Sequence, residues 1–390
     1  MVRMTRKITM LLAAVMCLAS CQDQQGQYEP QRALGSVRFR IGMDGSESKA
    51  VYSGEGTEKL ERIDWQAGDA LGVYCAAAKE EKYARYVVKS VWPSVGGVSR
   101  GVVEADGKEL VWGDGPHVFY SYFPEKSEGG IGKGITETET KIEVSASLTD
   151  KQKVIGAIDK SSTPWVASPD LKNMLMVSKS ATYTPEGGFF DGEVSLNFMP
   201  LTTAVQFTIT NQTKAEMIVK SVSLTSAASA LCGDFTVDVQ STWQTPDPID
   251  IGNETITYSH TYPVCDYSGS VTDATRTVTI EFTEEVTLAY EADPDESGKL
   301  TFTFFLQPCQ DFDDLTFRIT KADNSWMQTR LGYTDGSGIL FPRFMKSKVD
   351  GIFVPEGAQW TVKYSPDIEP WNVGSVDPKL VEVSLVSPIL

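Results

Sequence analysis

Apolar and polar residues alternate at period two along much of the chain. TAVQFTITN (203–211) places Val205, Phe207 and Ile209 on one face, and TRTVTIEF (275–282) does so with Val278, Ile280 and Phe282. KLTFTFFLQP (299–308) uses Leu300, Phe302, Phe304 and Leu306; LTFRITKA (315–322) uses Leu315, Phe317 and Ile319; QWTVKYS (359–365) uses Trp360, Val362 and Tyr364. This period predicts half-buried strands. Threonine is frequent among the outward positions, as β propensity favours. Gly, Pro, Asn and Asp fill the gaps and mark turns. No long segment keeps a 3.6-residue apolar period. The expectation is an all-β chain built as two tandem β-sandwich domains, with few or no helices. A boundary falls near residue 197. The segment 176–201, MVSKSATYTPEGGFFDGEVSLNFMPL, reads as a loop followed by the closing strand of the first domain, and TAVQFTITN opens the second.

Two further alternating segments lie near the ends. SVRFRIGM (36–43) sets Val37, Phe39, Ile41 and Met43 on one face and Arg38 and Arg40 on the other; a polar loop, DGSESKA, follows. KLVEVSLVSPIL (379–390) sets Val381, Val383 and Leu385 against Leu380, Glu382 and Ser384. Pro366, Pro370 and Pro378 precede it, and prolines resist incorporation into a parent sheet. On the residues alone, each segment reads either as an ordinary permanent strand or as one available for exchange.

The first 22 residues, MVRMTRKITMLLAAVMCLASCQ, change the picture of where the protein works. Arg3, Arg6 and Lys7 form a basic head, and Ile8 to Ala19 form an apolar run too short to span a membrane but suited to a signal peptide. Leu18-Ala19-Ser20-Cys21 resembles the lipobox of bacterial lipoproteins, in which the cysteine thiol receives the lipid. The expected organisation is a signal peptide over 1–20, a linker and first strand over 21–50, an N-terminal sandwich over 51–197 and a C-terminal sandwich over 198–390. QDQQGQYEPQRALG (22–35) reads as the linker lifting the domains off a bilayer.

Composition supports packed domains, with 41% hydrophobic and 22% charged residues. The net charge of −17 excludes a general nucleic-acid role, and two histidines supply little acid–base or metal chemistry. No cofactor is expected. Beyond the signal, Cys75, Cys232, Cys265 and Cys309 read as buried free thiols, with a bridge between two of the last three as the alternative. EGGIGKGIT (128–136) lacks the glycine and the Ser/Thr of a phosphate loop and reads as a flexible loop. DPDESGKLTFTF (293–304) starts like a calcium loop but has Phe304 where a Glu is required, so a hairpin turn explains it better. No G-x-S-x-G elbow occurs, and no pair of carboxylates is fixed on one cleft, so no enzymatic activity is expected. The eight tryptophans include candidates for a sugar-stacking platform, although core positions are commoner in sandwiches.

Several motifs taken in order resemble the fimbrillin (FimA/Mfa-like) pilins of the Bacteroidales. They are the lipobox; IDWQAGDALGVY (63–74), with Trp65, Gly68, Asp69, Gly72 and Tyr74; HVFYSYFP (117–124); and VSLNFMPLTTAVQFTI (194–209). The resemblance implies two transthyretin-like sandwiches in a lipoprotein anchored to the outer membrane through Cys21. It implies partners in other pilin subunits and a trypsin-like processing protease that cuts in the loop after the first strand. Here the matching position is Lys49-Ala50 rather than the Arg-Ala of many relatives, so either a protease accepting lysine makes the cut or the strand is never released. Cutting would free the strand carrying Val37, Phe39, Ile41 and Met43, and the Val381, Val383 and Leu385 face of a neighbour would fill the groove by main-chain pairing plus alternating pockets. A stalk subunit of a surface fimbrium is favoured over an anchor that keeps its first strand, and a tip subunit ranks third. The alternative function is a surface-anchored glycan-binding lipoprotein.

Overall fold

The computed structural model describes residues 35–43, 65–95, 98–161, 163–185, 190, 192–251, 254–258, 260–293, 295–331, 339–355, 357–365 and 387–388. Residues Val37–Leu390 gather as one compact unit. Among the described residues the first strands are β1 (Arg38–Met43), β2 (Ala70–Tyr74), β3 (Tyr83–Val95), β4 (Val98–Ala105) and β5 (Tyr120–Phe123). The chain continues through β6 (Gly132–Glu137), β7 (Ile142–Leu148), β8 (Lys151–Lys153), β9 (Trp165–Val166), β10 (Met176–Lys179) and β11 (Glu193–Pro200). Seven of these close into a ring, in the order β1-β11-β10-β5-β2-β3-β4, with β1 pairing β4 to shut it. Ring closure removes the unpaired strand edges that an open sheet would expose.

The chain then leaves the ring. β11 ends at Pro200, and β12 (Thr203–Asn211) lies in another sheet. There follow β13 (Met217–Ser226), β14 (Gly233–Asp238), β15 (Ile249–Ile251), β16 (Glu254–Ile256), β17 (Val264–Tyr267) and β18 (Thr277–Leu288). The last are β19 (Lys299–Leu306), β20 (Leu315–Lys321), β21 (Trp326–Leu331), β22 (Lys346–Val354), β23 (Gly357–Ser365) and β24 (Ser387–Pro388). They build a six-stranded sheet, β24-β23-β22-β12-β19-β9, and a five-stranded one, β21-β20-β13-β18-β8. A four-stranded sheet, β17-β14-β7-β6, and the β15–β16 hairpin complete the set. The fold is all-β, and its regular helix among the described residues is confined to two 3-10 turns, Lys126–Glu128 and Leu171–Asn173.

The six- and five-stranded sheets pack face to face as a sandwich. Phe207 on β12 stacks on Phe302 of β19 at 5.7 Å within its own sheet and on Phe317 of β20 at 4.8 Å in the facing sheet. β13, β18 and β20 alternate buried and part-exposed positions, as half-buried strands must. β12 and β19 depart from the expected pattern: the polar Gln206, Thr210, Thr301 and Thr303 are buried too. At the edge of β19 the Gln152 amide donates to the Phe305 carbonyl at 2.6 Å and accepts from the Phe305 N–H at 2.9 Å.

Two local expectations are corrected. Residues 128–136 are not a loop throughout: Gly132–Glu137 is strand β6, antiparallel to β7. Gly132 sits so close to the Tyr122 ring that an added Cβ would lie 2.5 Å from it. The segment before β11 is not wholly loop either, because Met176–Lys179 forms β10 against β5.

The open face of the five-stranded sheet is ordered in rows by register, since residues directly opposite share a face. Trp326, Thr320, Ser221, Glu281 and Lys153 make one row, and Gln328, Arg318, Ser223, Thr279 and Lys151 the next.

Candidate functional site

The alternation of SVRFRIGM becomes a seated strand. Val37, Phe39 and Ile41 are 4%, 2% and 1% exposed, while Arg40 on the opposite face is open to solvent. β1 runs parallel to β11 over its full length, from Arg38 opposite Glu193 to Met43 opposite Phe198. On its other side it meets β4 at two positions only, Arg40 opposite Val102 and Ile41 opposite Gly101. The Val37 N–H donates to the Leu110 carbonyl at 2.9 Å.

The groove around β1 is apolar and aromatic. Phe39 meets Tyr86 at 4.9 Å and Phe119 at 5.1 Å, both edge to face. Val194, Leu196 and Phe198 of β11 are fully buried, and their register sets Val194 beside Phe39 and Leu196 beside Ile41. Gly101 lies against Ile41: a Cβ there would be in ordinary contact with two atoms of the Ile41 side chain, at 3.4 Å, and tighter against the Ser90 carbonyl, at 3.1 Å. Burying Val37, Phe39 and Ile41 contributes about 5–9 kcal/mol at about 1.5–3 kcal/mol each. That is comparable to the whole stability of an ordinary domain, about 5–15 kcal/mol.

The sequence supplied the buried face of β1 and a closing strand at β11, but not their pairing or the roles of Tyr86, Gly101 and Phe119. Those residues come from strands and a loop far along the chain, and no local pattern joins them. The side chain of Met43, together with Cys21, Lys49, Ala50, Val381, Val383 and Leu385, lies outside the described residues. At the other end of the chain, Ser387 and Pro388 pair antiparallel with Ala358 and Gly357 at the edge of the six-stranded sheet.

The remaining motifs resolve into structure. Trp65 is a core aromatic, 5.1 Å from both Phe123 and Phe198. Gly68 takes the turn at φ 99°, where a side chain would be strained. His117 is fully buried; its Nε2 accepts from the Gly113 N–H at 3.0 Å and its Nδ1 lies 2.8 Å from the Gly115 carbonyl, so the ring serves the loop. The calcium-like segment is the turn between β18 and β19. Asp295 pairs with Lys299 at 3.2 Å, and the buried Ser297 hydroxyl donates to the Glu291 carbonyl at 3.0 Å. All four described cysteines are free thiols. Burial pushes Cys75 up, Cys232 and Cys309 up to about 12, and Cys265 well above its ordinary value. Such thiols are poor nucleophiles at neutral pH.

Comparison with known proteins adds a family. A family model described as fimbrillin-like matches residues 57–328, more than half of the chain. Among solved structures, a candidate cell adhesion protein from Bacteroides ovatus is similar at 15% identity and TM-score 0.46, covering 88% of this chain and 100% of that one. A fimbrial assembly protein from Parabacteroides distasonis is similar at 9% identity and TM-score 0.34, covering 84% of this chain and 95% of that one. No curated protein matches the sequence.

Proposed function

The chain belongs to the fimbrillin-like family, and from that premise we propose that it is a structural pilus subunit that supports adhesion and polymerises by strand exchange. In this reading Cys21 carries the lipid that holds the subunit at the outer membrane. A trypsin-like protease then cuts between Lys49 and Ala50. β1 leaves, and the Val381, Val383 and Leu385 face of another copy enters the vacated groove. The 51–197 and 198–390 segments are the two sandwich domains of the subunit, and a stalk position is favoured over an anchor.

The observation that carries this reading is the seat of β1. The strand closes the ring, fills an aromatic groove, and is joined to β4 at only two positions. A strand worth about 5–9 kcal/mol of burial leaves behind a receptor that a second alternating strand can fill. Its loss is comparable to the total stability of a domain, so vacancy and refilling are expected to be coupled. The replacement needs one apolar face, which Val381, Val383 and Leu385 offer by sequence.

Limited digestion with a trypsin-like protease tests this. The wild-type chain should be cut at Lys49 and then form a ladder of oligomers on a gel. Lys49→Gln should stay uncut and monomeric under the same digestion. A chain lacking residues 379–390 should be cut but form no ladder. Wild-type protein that is cut at Lys49 and remains monomeric overturns the proposal.

A further inference from the structure

The open face of the five-stranded sheet differs in character from the chain as a whole. The protein carries a net charge of −17, yet the two rows that start at Trp326 and Gln328 hold Arg318, Lys151 and Lys153 against one acid, Glu281. The positions between them are the hydroxyls of serines and threonines. Trp326 stands at the edge strand and is 47% exposed. Its ring is held in place: the Arg318 guanidinium lies 4.6 Å from the ring centroid, and Arg318 Nε and Nη2 donate to Gln328 Oε1 at 2.9 Å and 2.5 Å. Arg330, in the next row, pairs with Asp314 at 2.9 Å and is already engaged.

We propose that this face binds anionic saccharides, with the Trp326 ring as the stacking platform and Arg318, Lys151 and Lys153 as the partners of sulfate or carboxylate groups. A pyranose presents an apolar C–H face to a tryptophan ring, whose body is apolar and whose orientation is fixed here. Its hydroxyls suit the Ser and Thr rows, and Arg318 Nη1, which the Gln328 bonds leave over, can donate with the Lys151 and Lys153 ammonium groups to sulfate or carboxylate oxygens. Strands lie about 4.7–4.9 Å apart, so Trp326 to Lys153 spans roughly 19 Å, the reach of a short oligosaccharide rather than of one sugar. A protein partner would favour an apolar, charge-poor centre; these rows offer a single aromatic among hydroxyls and charges. The proposal goes beyond pilus assembly, because the face lies on a sheet that β1 and its groove do not use.

Calorimetric titration of the uncut, monomeric chain with a sulfated heparin hexasaccharide, and with neutral cellohexaose, tests it independently of polymerisation. The sulfated sugar should bind, and the neutral one should bind at least about tenfold more weakly, a difference of about 1.4 kcal/mol. Trp326→Ala and Arg318→Met should each weaken binding by about tenfold, with unchanged circular dichroism and melting. Wild-type affinity should fall roughly tenfold between about 50 mM and 500 mM salt, and Lys151→Gln with Lys153→Gln should flatten that dependence. The salt series needs no variant, so it stands even if a substitution impairs folding. Equal binding of the neutral sugar, or wild-type affinity in both the Trp326 and Arg318 variants, overturns the proposal. Self-association without saccharide that is lost in Trp326→Ala also overturns it, because the face would then meet a second copy.

Discussion

Glu125 is buried, at 2% exposure, just past the end of β5, and its carboxylate ties β3 to the 3-10 turn Lys126–Glu128. Oε1 accepts from the Tyr83 hydroxyl at 3.0 Å, Oε2 accepts from the Ser127 N–H at 2.9 Å, and Arg85 Nε stands 3.4 Å from Oε2. Burial pushes this carboxyl up, but the hydrogen bonds from Ser127 and Tyr83 and the charge of Arg85 together outweigh burial and hold it below its ordinary value of 4.5. A depressed carboxylate stabilises the fold above its unfolded pKa, and that stability is lost as pH falls through the folded value. The window is therefore acidic, below about pH 4.5. Glu125→Gln keeps the shape and removes the charge. It should lower stability at pH 7 by about 1–3 kcal/mol, and the gap to wild type should narrow as pH falls towards 3. Urea midpoints at the two pH values check this; a constant gap would mean that ionisation of Glu125 plays no part.

β1 is where residue chemistry becomes a property of an element. Its inward face is buried and its outward Arg40 is exposed, so substitutions one residue apart should differ sharply. Phe39→Ala should cost about 3–5 kcal/mol, whereas Arg40→Ala should fall within about 0.5 kcal/mol of wild type. Urea unfolding followed by tryptophan fluorescence gives both numbers, and similar costs for the two would mean that β1 is not seated as described. The face of β1 was legible because period two marks a half-buried strand. The same rule located β12 and β20, whose bounds, Thr203–Asn211 and Leu315–Lys321, fall close to the sequence reading. It did not find β6, β8 or β9. β8 has one buried residue, the polar Gln152, and β9 is only two residues long. Such elements exist because distant partners hold them, as β18 holds β8 through Thr279, Ile280 and Glu281. Nor did period two reveal that β1 runs parallel to β11, since parallel pairing joins segments far apart in the chain.

At the scale of the molecule, these distant pairings set how the protein unfolds. The chain changes sheets between Pro200 and Thr203, near the proposed domain boundary, but the segments on either side of that point are interleaved. β7 pairs with β14 from Leu148 opposite Gly233 to Glu143 opposite Asp238. β8 and β9 add parallel edges to β18 and β19. The Ala167 N–H donates to the Thr301 carbonyl at 2.9 Å, the Thr279 N–H to Asp150 at 2.7 Å, and Lys179 Nζ to Gln240 at 2.8 Å. Separating the halves would strip β14 and β19 of these partners and uncover the Phe305 backbone that Gln152 now satisfies. Each unsatisfied buried group costs about 1–3 kcal/mol, so a state with one half folded and the other unfolded is penalised from both sides. The expected outcome is one cooperative urea transition for residues 37–390, coincident by far-ultraviolet circular dichroism and by tryptophan fluorescence. Trp65 and Trp112 report on the ring, and Trp165, beside β19, reports on the join. Two resolved transitions, with the fluorescence and dichroism midpoints apart, would show instead that the interleaved strands contribute too little to couple the halves.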